Sequence, residues 1–460
     1  MSAMPHNSSS FVAAPAWTQV KGRTVVVGLG RTGLSCARFL RSRGVDFAVT
    51  DSRAAPPEAA ALKQIAPSTE TSFGGFDLRL LDGAGQLIVS PGVSVREPLV
   101  QQAIARGLPV LGDIEIFAQE ARAPIAAITG TNGKSTVTTL VARMAEAGAR
   151  RAIAGGNLGR PALDLLDESD AELYVLELSS FQLETTHSLR ATAACVLNVT
   201  SDHMDRYASM QEYADAKARI FARCETAVIN LDDAFARRMP PLDARVLGFS
   251  LAADASADYY IRESKFDVVL MCHGEPLIKM SELKITGLHN AANALAALAM
   301  CDGLGLDIDR CLDALRSFEG LPHRSQWVAE IDGVRYIDDS KGTNVGATMA
   351  AVAGMPGSLV LIAGGQGKGQ DFSPLASALR GKVRHAVLIG QDAKLLAGVL
   401  KNLASFEFAT SMQDAVQRAS TAAKQGETVL LSPACASLDM FRDYAHRGDE
   451  FALEVRRLRR

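Results

Sequence analysis

The densest chemical signal in the chain is the run Gly130-Thr131-Asn132-Gly133-Lys134-Ser135-Thr136. Glycines at 130 and 133 let a backbone approach a phosphate chain. The N–H groups that open a following helix bring partial positive charge to it. Lys134 would neutralise the β- and γ-phosphates, and the Ser135 hydroxyl would hold Mg²⁺. The spacing departs from the usual phosphate loop, because Ile128 stands where that pattern wants a glycine. The motif is therefore a shortened Gly-x-x-Gly-Lys-Ser, and its chemistry is ATP binding.

Other candidates follow downstream. Mg²⁺ needs hard oxygen ligands, and Tyr174-Val175-Leu176-Glu177 ends a buried strand with a carboxylate. The apolar run Cys195–Val199 leads into Asp202-His203-Met204-Asp205-Arg206-Tyr207, which is too polar for core and makes His203 a site candidate. Ser209-Met210-Gln211-Glu212 reads as a capping box, with Lys217 two turns inside its helix. On position alone Lys217 reads as a solvated lysine. Asn290 and Asn293 share a helix face, where two amides could read a purine edge or cap the helix. Gly28-Leu29-Gly30-Arg31-Thr32-Gly33 with Asp51 has the spacing of a dinucleotide fingerprint, but any nucleotide diphosphate could use that close backbone approach.

These residues need strand ends to hold them. Short β-branched runs alternate with longer Ala/Leu-rich helical segments, which predicts βαβ units and parallel sheets. At 460 residues and 48% hydrophobic, the chain has material for about three domains. The fold class expected is α/β with three domains. An N-terminal Rossmann-like unit over residues 21–122 follows a disordered leader, residues 1–20. A central ATPase-type parallel sheet with the phosphate loop spans 123–322. A C-terminal Rossmann-like unit spans 323–460. A hinge is expected near Gly320–Pro322.

Net charge is −3, which argues against a nucleic-acid or membrane-surface binder. The terminal Arg456-Arg457-Leu458-Arg459-Arg460 reads as a solvated tail. Seven cysteines form no CxxC pair, and no signal peptide precedes them, so reduced thiols in a cytoplasmic protein are expected. No exposed heptad demands assembly, and a monomer is expected.

Together, Gly130–Thr136, Glu177-Leu178-Ser179-Ser180, Asp202–Tyr207 and His289-Asn290-Ala291-Ala292-Asn293 resemble the Mur ligases, the ATP-dependent amide-forming enzymes of cell-wall precursor synthesis. The likeness covers nearly the whole chain after Gly22. It is greatest to the members that join D-glutamate to UDP-N-acetylmuramoyl-L-alanine. The resemblance implies two Mg²⁺ ions, a Lys217 carbamylated by CO₂ that helps hold one of them, and Asn157 and His203 beside the metals. It implies that Gly30, Arg31, Thr32, Asp51, Ser52, Arg53, Ser90 and Gly92 cradle the UDP-linked substrate. Arg324 and Asp339 would contact the ATP adenosine, with Lys341 near its phosphates. Thr343, Lys368, Ser437 and Tyr444 are implied for D-glutamate. The family often has Phe where Tyr444 stands and an acid where Gln366 stands.

The reaction implied is a two-step amide synthesis through an acyl phosphate, with ADP and phosphate as by-products. A Mur-type ligase with another amino-acid acceptor stays as a rival. So do a nicotinamide-dependent oxidoreductase, suggested by the first glycine turn, and a non-enzymatic nucleotide switch.

Overall fold

The computed structural model describes residues 16–240, 243–252, 256–264, 267–355 and 357–458. Three sheets account for the strands. The first contains β1 (Arg23–Val27), β2 (Phe47–Asp51), β3 (Glu70–Phe73), β4 (Ala84–Val89) and β5 (Val110–Leu111), ordered β3-β2-β1-β4-β5. All its pairings are parallel. β1 and β2 are buried along almost their full length, which is why they read as unbroken apolar runs and not as alternating ones.

The central sheet contains β6 (Ile125–Thr129), β7 (Ala152–Gly156), β8 (Leu173–Glu177), β9 (Ala193–Val196), β10 (Thr226–Asn230), β11 (Arg245–Ser250), β12 (Tyr259–Glu263), β13 (Val268–Cys272) and β14 (Glu275–Lys279). Its order is β14-β13-β12-β11-β10-β9-β6-β8-β7. The expected parallel sheet holds from β7 to β12, but β12, β13 and β14 form an antiparallel extension. The turn His273-Gly274, with φ of 46° and 92°, folds β14 directly back on β13.

The third sheet contains β15 (Gln326–Ile331), β16 (Val334–Asp338), β17 (Leu359–Gly364), β18 (Val383–Ile389), β19 (Ser405–Phe408) and β20 (Thr428–Leu431). The order is β15-β16-β20-β17-β18-β19, parallel except for the edge hairpin β15–β16. That hairpin turns on Asp332-Gly333, with φ of 51° and 73°.

The apolar clusters divide unevenly. One cluster runs from Trp17, Val26 and Phe39 through Ile114 and Phe117 to Ile125, Tyr174 and Phe221, joining the first sheet's layer to the central one. The third sheet is filled by two clusters of its own. The reading of residues 1–20 as a leader needs correction within its last residues. Residues 1–15 lie outside the described residues, but Trp17 is buried, its ring centre 5.2 Å from that of Phe39 in a tilted pair, with Nε1 donating to Glu120 Oε1 at 2.9 Å. The terminal arginines are also partly fixed. Arg456 and Arg457 end the helix Tyr444–Arg457, and Arg457 pairs with Glu454, whereas Arg459 and Arg460 lie outside the described residues. All seven cysteines are free, and five are buried. No helix among the described residues is long and apolar enough to cross a membrane.

Each sheet presents three neighbouring strand ends at one edge. In the first these are β2, β1 and β4; in the centre β9, β6 and β8; in the third β16, β20 and β17. Ligands of open parallel sheets sit at such carboxyl ends.

Candidate active site

β6 runs into the phosphate loop and then the helix Lys134–Ala147. Gly133 caps that helix at φ 85°, and a Cβ there would lie 2.4 Å from Asn293 Oδ1, so only glycine fits. Asn198 anchors the loop from the end of β9. Its Oδ1 accepts from Asn132 N at 2.8 Å, and its backbone carbonyl accepts from Thr131 N at 2.9 Å. Asn198 escaped sequence reading. Its one signal was a polar residue inside the apolar run Cys195–Val199, just before the Asp202–Tyr207 segment.

Cations converge on the loop. Lys134 Nζ donates to Gly130 O and Thr131 O, both at 2.9 Å, and Lys217 Nζ donates to the same Gly130 O at 3.0 Å. Lys217, read from position as solvated, is 1% exposed and lies 4.5 Å from the Tyr213 ring centre. Lys341 Nζ stands 4.0 Å over the Tyr444 ring. Arg324, expected at the adenosine, instead donates from Nη2 to Ser135 Oγ at 2.8 Å, although it also lines the adjacent cavity. Burial, reinforced by Lys134, pushes Lys217 well below the usual lysine range. Burial and then Arg324 and Lys134 bring Lys341 down to about 8. Burial also lowers Lys134, against the pull of Glu177 and Asp202. Such crowding of positive charge in a dry cleft is relieved by a polyanion.

Glu177 closes β8 and is 3% exposed. Its Oε1 accepts from Asn157 Nδ2 at 2.6 Å, while Oε2 is buried with no donor. Among the described residues no cluster of three or more His, Cys, Asp or Glu could hold a metal by itself. Mg²⁺ does not need one. It keeps waters and phosphate oxygens and takes only one or two protein carboxylates. The orphaned Glu177 oxygen and the Ser135 hydroxyl at the loop fit that donor set. His203 lies nearby at φ 57°, its ring 4.9 Å from Phe181 and its Nε2 3.7 Å from Asp202 Oδ2. Burial lowers its pKa; Asp202 opposes this, and Lys368, Lys134 and Lys217 add to it.

Two cavities matter here, the first bordered by the phosphate loop and the second by the first block and Asn157. One, of about 270 Å³, is lined by Gly133, Thr136, Phe249, Asn290, Asn293, Arg324, Asp339 and Lys341. The two asparagines share a bond, Asn293 Nδ2 to Asn290 Oδ1 at 3.3 Å. Asp339 is pushed up to about 7 by burial, with Oδ2 accepting from Ser432 Oγ at 2.7 Å. The other cavity, of about 580 Å³, is lined by Gly30, Arg31, Thr32, Asp51, Ser52, Arg53, Ser90 and Gly92, together with Asn157 and Gln182 from the central block.

Asp51, which stands where a dinucleotide fingerprint places its ribose-binding acid, is already fully engaged. Its Oδ1 accepts from Arg53 N and Nε, and its Oδ2 accepts from Leu29 N at 2.7 Å and Arg53 Nη2 at 2.7 Å. A ribose diol would have to displace the half-exposed Arg53 side chain to reach the carboxylate. Arg53 is also the main reason Asp51 sits at about 2.

At the third sheet, the turns after β16, β17 and β20 carry Thr343, Lys368 and Ser437. Ser437 is buried, Lys368 adopts φ 53°, and its charge reaches His203. Tyr444 is turned to Lys341 as described above. Gln366 pairs through its backbone with Ala436. The contacts that cross from this block to the phosphate loop, besides Arg324, centre on Asn344, whose Nδ2 donates to Asn132 Oδ1 at 3.1 Å and to Asp202 Oδ2 at 3.3 Å.

The sequence matches three domain descriptions in chain order: Mur ligase MurD-like N-terminal domain over 22–112, Mur ligase middle domain over 128–301, and Mur ligase glutamate ligase domain over 323–435. It is 50% identical over 446 residues to a UDP-N-acetylmuramoylalanine–D-glutamate ligase of Nitrosococcus oceani, covering 96% of this chain and 98% of that protein. The protein of the same name from Coxiella burnetii is 47% identical over 439 residues, covering 95% and 99%. Among solved structures, the UDP-N-acetylmuramate-alanine ligase of Thermotoga maritima shares the fold at TM-score 0.60 and 20% identity, covering 95% of this chain and 100% of that one. A pseudomurein peptide ligase type C from Methanothermus fervidus does so at TM-score 0.59 and 17% identity, covering 94% and 99%. With half of its residues shared over almost its whole length, the chain belongs to the Mur ligase family.

Proposed function

We propose that this protein joins D-glutamate to UDP-N-acetylmuramoyl-L-alanine at the expense of ATP, in the synthesis of peptidoglycan precursors. The observation that carries this reading is the meeting of Lys134, Lys217, Lys341 and Arg324 with an orphaned Glu177 oxygen, beside a cavity that ends at Asn157. The names of the half-identical relatives support the choice of substrates.

In the first step the terminal carboxylate of the UDP-linked substrate attacks the γ-phosphorus of ATP. A phosphorus–oxygen bond to ADP breaks, and an acyl phosphate forms. Two anions must approach, so the barrier is chiefly electrostatic. Lys134 and Lys341 offset that repulsion, and Arg324, now on Ser135, is placed to follow the phosphates. Ser135, Glu177, His203 and Lys217 would hold Mg²⁺, two ions on our reading, and the metal would supply further charge neutralisation. The depressed pKa of Lys217 favours the neutral amine, which is the form that adds CO₂ to become a carbamate.

In the second step the amine of D-glutamate attacks the acyl carbon and phosphate leaves. Thr343, Lys368, Ser437 and Tyr444 would hold the amino acid, with Lys368 facing a carboxylate. His203, kept neutral by burial and surrounding lysines, orients groups at the reacting centre. Asn290 and Asn293 would read the adenine, and Asp339 the ribose. Each block brings one substrate from a single chain, so a monomer suffices, and its nucleotide substrates put it in the cytoplasm.

The test is phosphate release from ATP by the purified protein. Release that requires both UDP-N-acetylmuramoyl-L-alanine and D-glutamate supports the reading. NADH binding without such release would overturn it in favour of an oxidoreductase.

A further inference from the structure

Arg206 has no part in the steps above, yet it is one of the most engaged side chains near the site. It lies between β9 and the helix Met210–Ala218, in the segment that carries His203. Its guanidinium reaches out of the central block: Nη1 donates to Pro91 O at 3.1 Å and Nη2 donates to Val93 O at 2.7 Å. Pro91, Gly92 and Val93 line the 580 Å³ cavity. The same guanidinium stands 4.1 Å over the Phe181 ring, which also meets the His203 imidazole edge-on at 4.9 Å and stacks on Tyr207 at 5.9 Å. Glu184 Oε2 lies 3.6 Å from Nη2.

Other bonds cross between these blocks: exposed Arg31 donates once to Gly159 O at 2.7 Å, and buried Glu115, which does not line that cavity, accepts from His187 N and Ser188 N. Arg38–Asp164 and Arg96–Glu212 have arginines about half exposed, and solvent weakens such pairs. The Arg206 side chain is only 15% exposed, and its two charge-assisted bonds end on backbone carbonyls of a tight turn, closed by Val93 N on Ser90 O at 2.9 Å. A guanidinium can hold two carbonyls at a fixed spacing because its donors form a rigid plane.

We infer that Arg206 is a positioning residue for the UDP-linked substrate: it clamps the turn 90–93 in its binding shape and, through Phe181, ties that turn to His203. This rests on the proposed function. Without the clamp, the turn must be ordered by the substrate itself, and binding weakens by that cost. ATP binding is spared, since Arg206 does not line the ATP cavity.

The experiment is calorimetric titration of the full chain with UDP-N-acetylmuramoyl-L-alanine and, separately, with a non-hydrolysable ATP analogue. Wild type, Arg206→Gln and Arg206→Lys are compared. The expected result is a Kd for the UDP-linked substrate raised about tenfold or more in Arg206→Gln, as loss of a charge-assisted bond implies. Arg206→Lys should recover part of it, because an ammonium can still sit over Phe181 and reach one carbonyl. The Kd for the ATP analogue should stay within about twofold in both. Equal binding of the UDP-linked substrate by wild type and Arg206→Gln would overturn the inference, as would equal weakening of both ligands. If Arg206→Gln does not fold, Arg206→Lys carries the test: selective weakening supports the clamp, and unchanged binding overturns it. Wild type that fails to bind the UDP-linked substrate would overturn the proposed function itself.

Discussion

Glu177 illustrates what a single side chain can reveal about chemistry. A carboxylate at 3% exposure with one oxygen unpartnered is a costly arrangement in a folded protein. Its cost is relieved when a cation arrives. Glu177→Gln keeps the shape and removes the charge. Ligase turnover should fall by about a thousandfold, since a metal contributes several kcal/mol to charge stabilisation. The melting temperature should hold or rise by a few degrees, because the buried charge is gone. Phosphate-release kinetics and thermal melting would check both halves. Glu177 and His203 were legible because polar residues at the end of apolar runs cannot be core. Lys217 was not, because helical spacing alone makes it a solvated lysine; only the resemblance implied a site role, and the structure shows it buried and bonded to the loop. Asn198 was missed because an asparagine just beyond a strand is unremarkable until its loop partner is known.

At the scale of elements, short connections do the positioning. The segment His323-Arg324-Ser325 is latched at both ends: His323 Nδ1 bonds Asp338 Oδ2 at 2.7 Å and Ser325 N donates to Asp339 Oδ1 at 3.1 Å. Positive φ at His323 and Ser325, 60° and 48°, aims Arg324 across at Ser135. The bond to Asp338 raises the His323 pKa above its usual value, and burial opposes this. A raised histidine pKa means that the folded state binds the proton more tightly. The stabilisation is complete below the ordinary value of about 6.5 and is lost as pH climbs through the raised one. Denaturant unfolding across about pH 6 to about pH 9 should therefore show stability falling with pH, and His323→Gln should flatten that slope. The sequence offered a hinge near Gly320–Pro322 but not this latch, since a partner fifteen residues on, at the end of β16, leaves no local pattern. The parallel strands were readable as apolar runs. The antiparallel strands β12 to β15 were not, being half-exposed and short, although His273-Gly274 and Asp332-Gly333 are the kind of pair that closes a hairpin.

Across the whole molecule, the apolar clusters decide which parts move together. The first and central blocks share one buried cluster, with Phe117 and Tyr174 packed edge to face at 5.0 Å. The third block has its own cores and meets the phosphate loop through polar contacts of Arg324 and Asn344. Polar contacts of that kind exchange readily with water, so the third block is the one expected to swing about Gly320–Pro322. Small-angle scattering should show a smaller radius of gyration with all substrates or their analogues bound than without ligand. An unchanged radius would count against closure.

The central claim is that the third block selects D-glutamate and that ATP energy goes into one amide bond. An acceptor panel tests it most directly: purified protein, ATP, Mg²⁺ and UDP-N-acetylmuramoyl-L-alanine, with D-glutamate, L-glutamate, L-alanine or diaminopimelate, and with phosphate and nucleotide product both measured. The expected result is phosphate release with D-glutamate alone, matched one for one by a product one glutamyl residue heavier. Equal turnover with L-alanine or diaminopimelate, or phosphate release without an amide product, would contradict it.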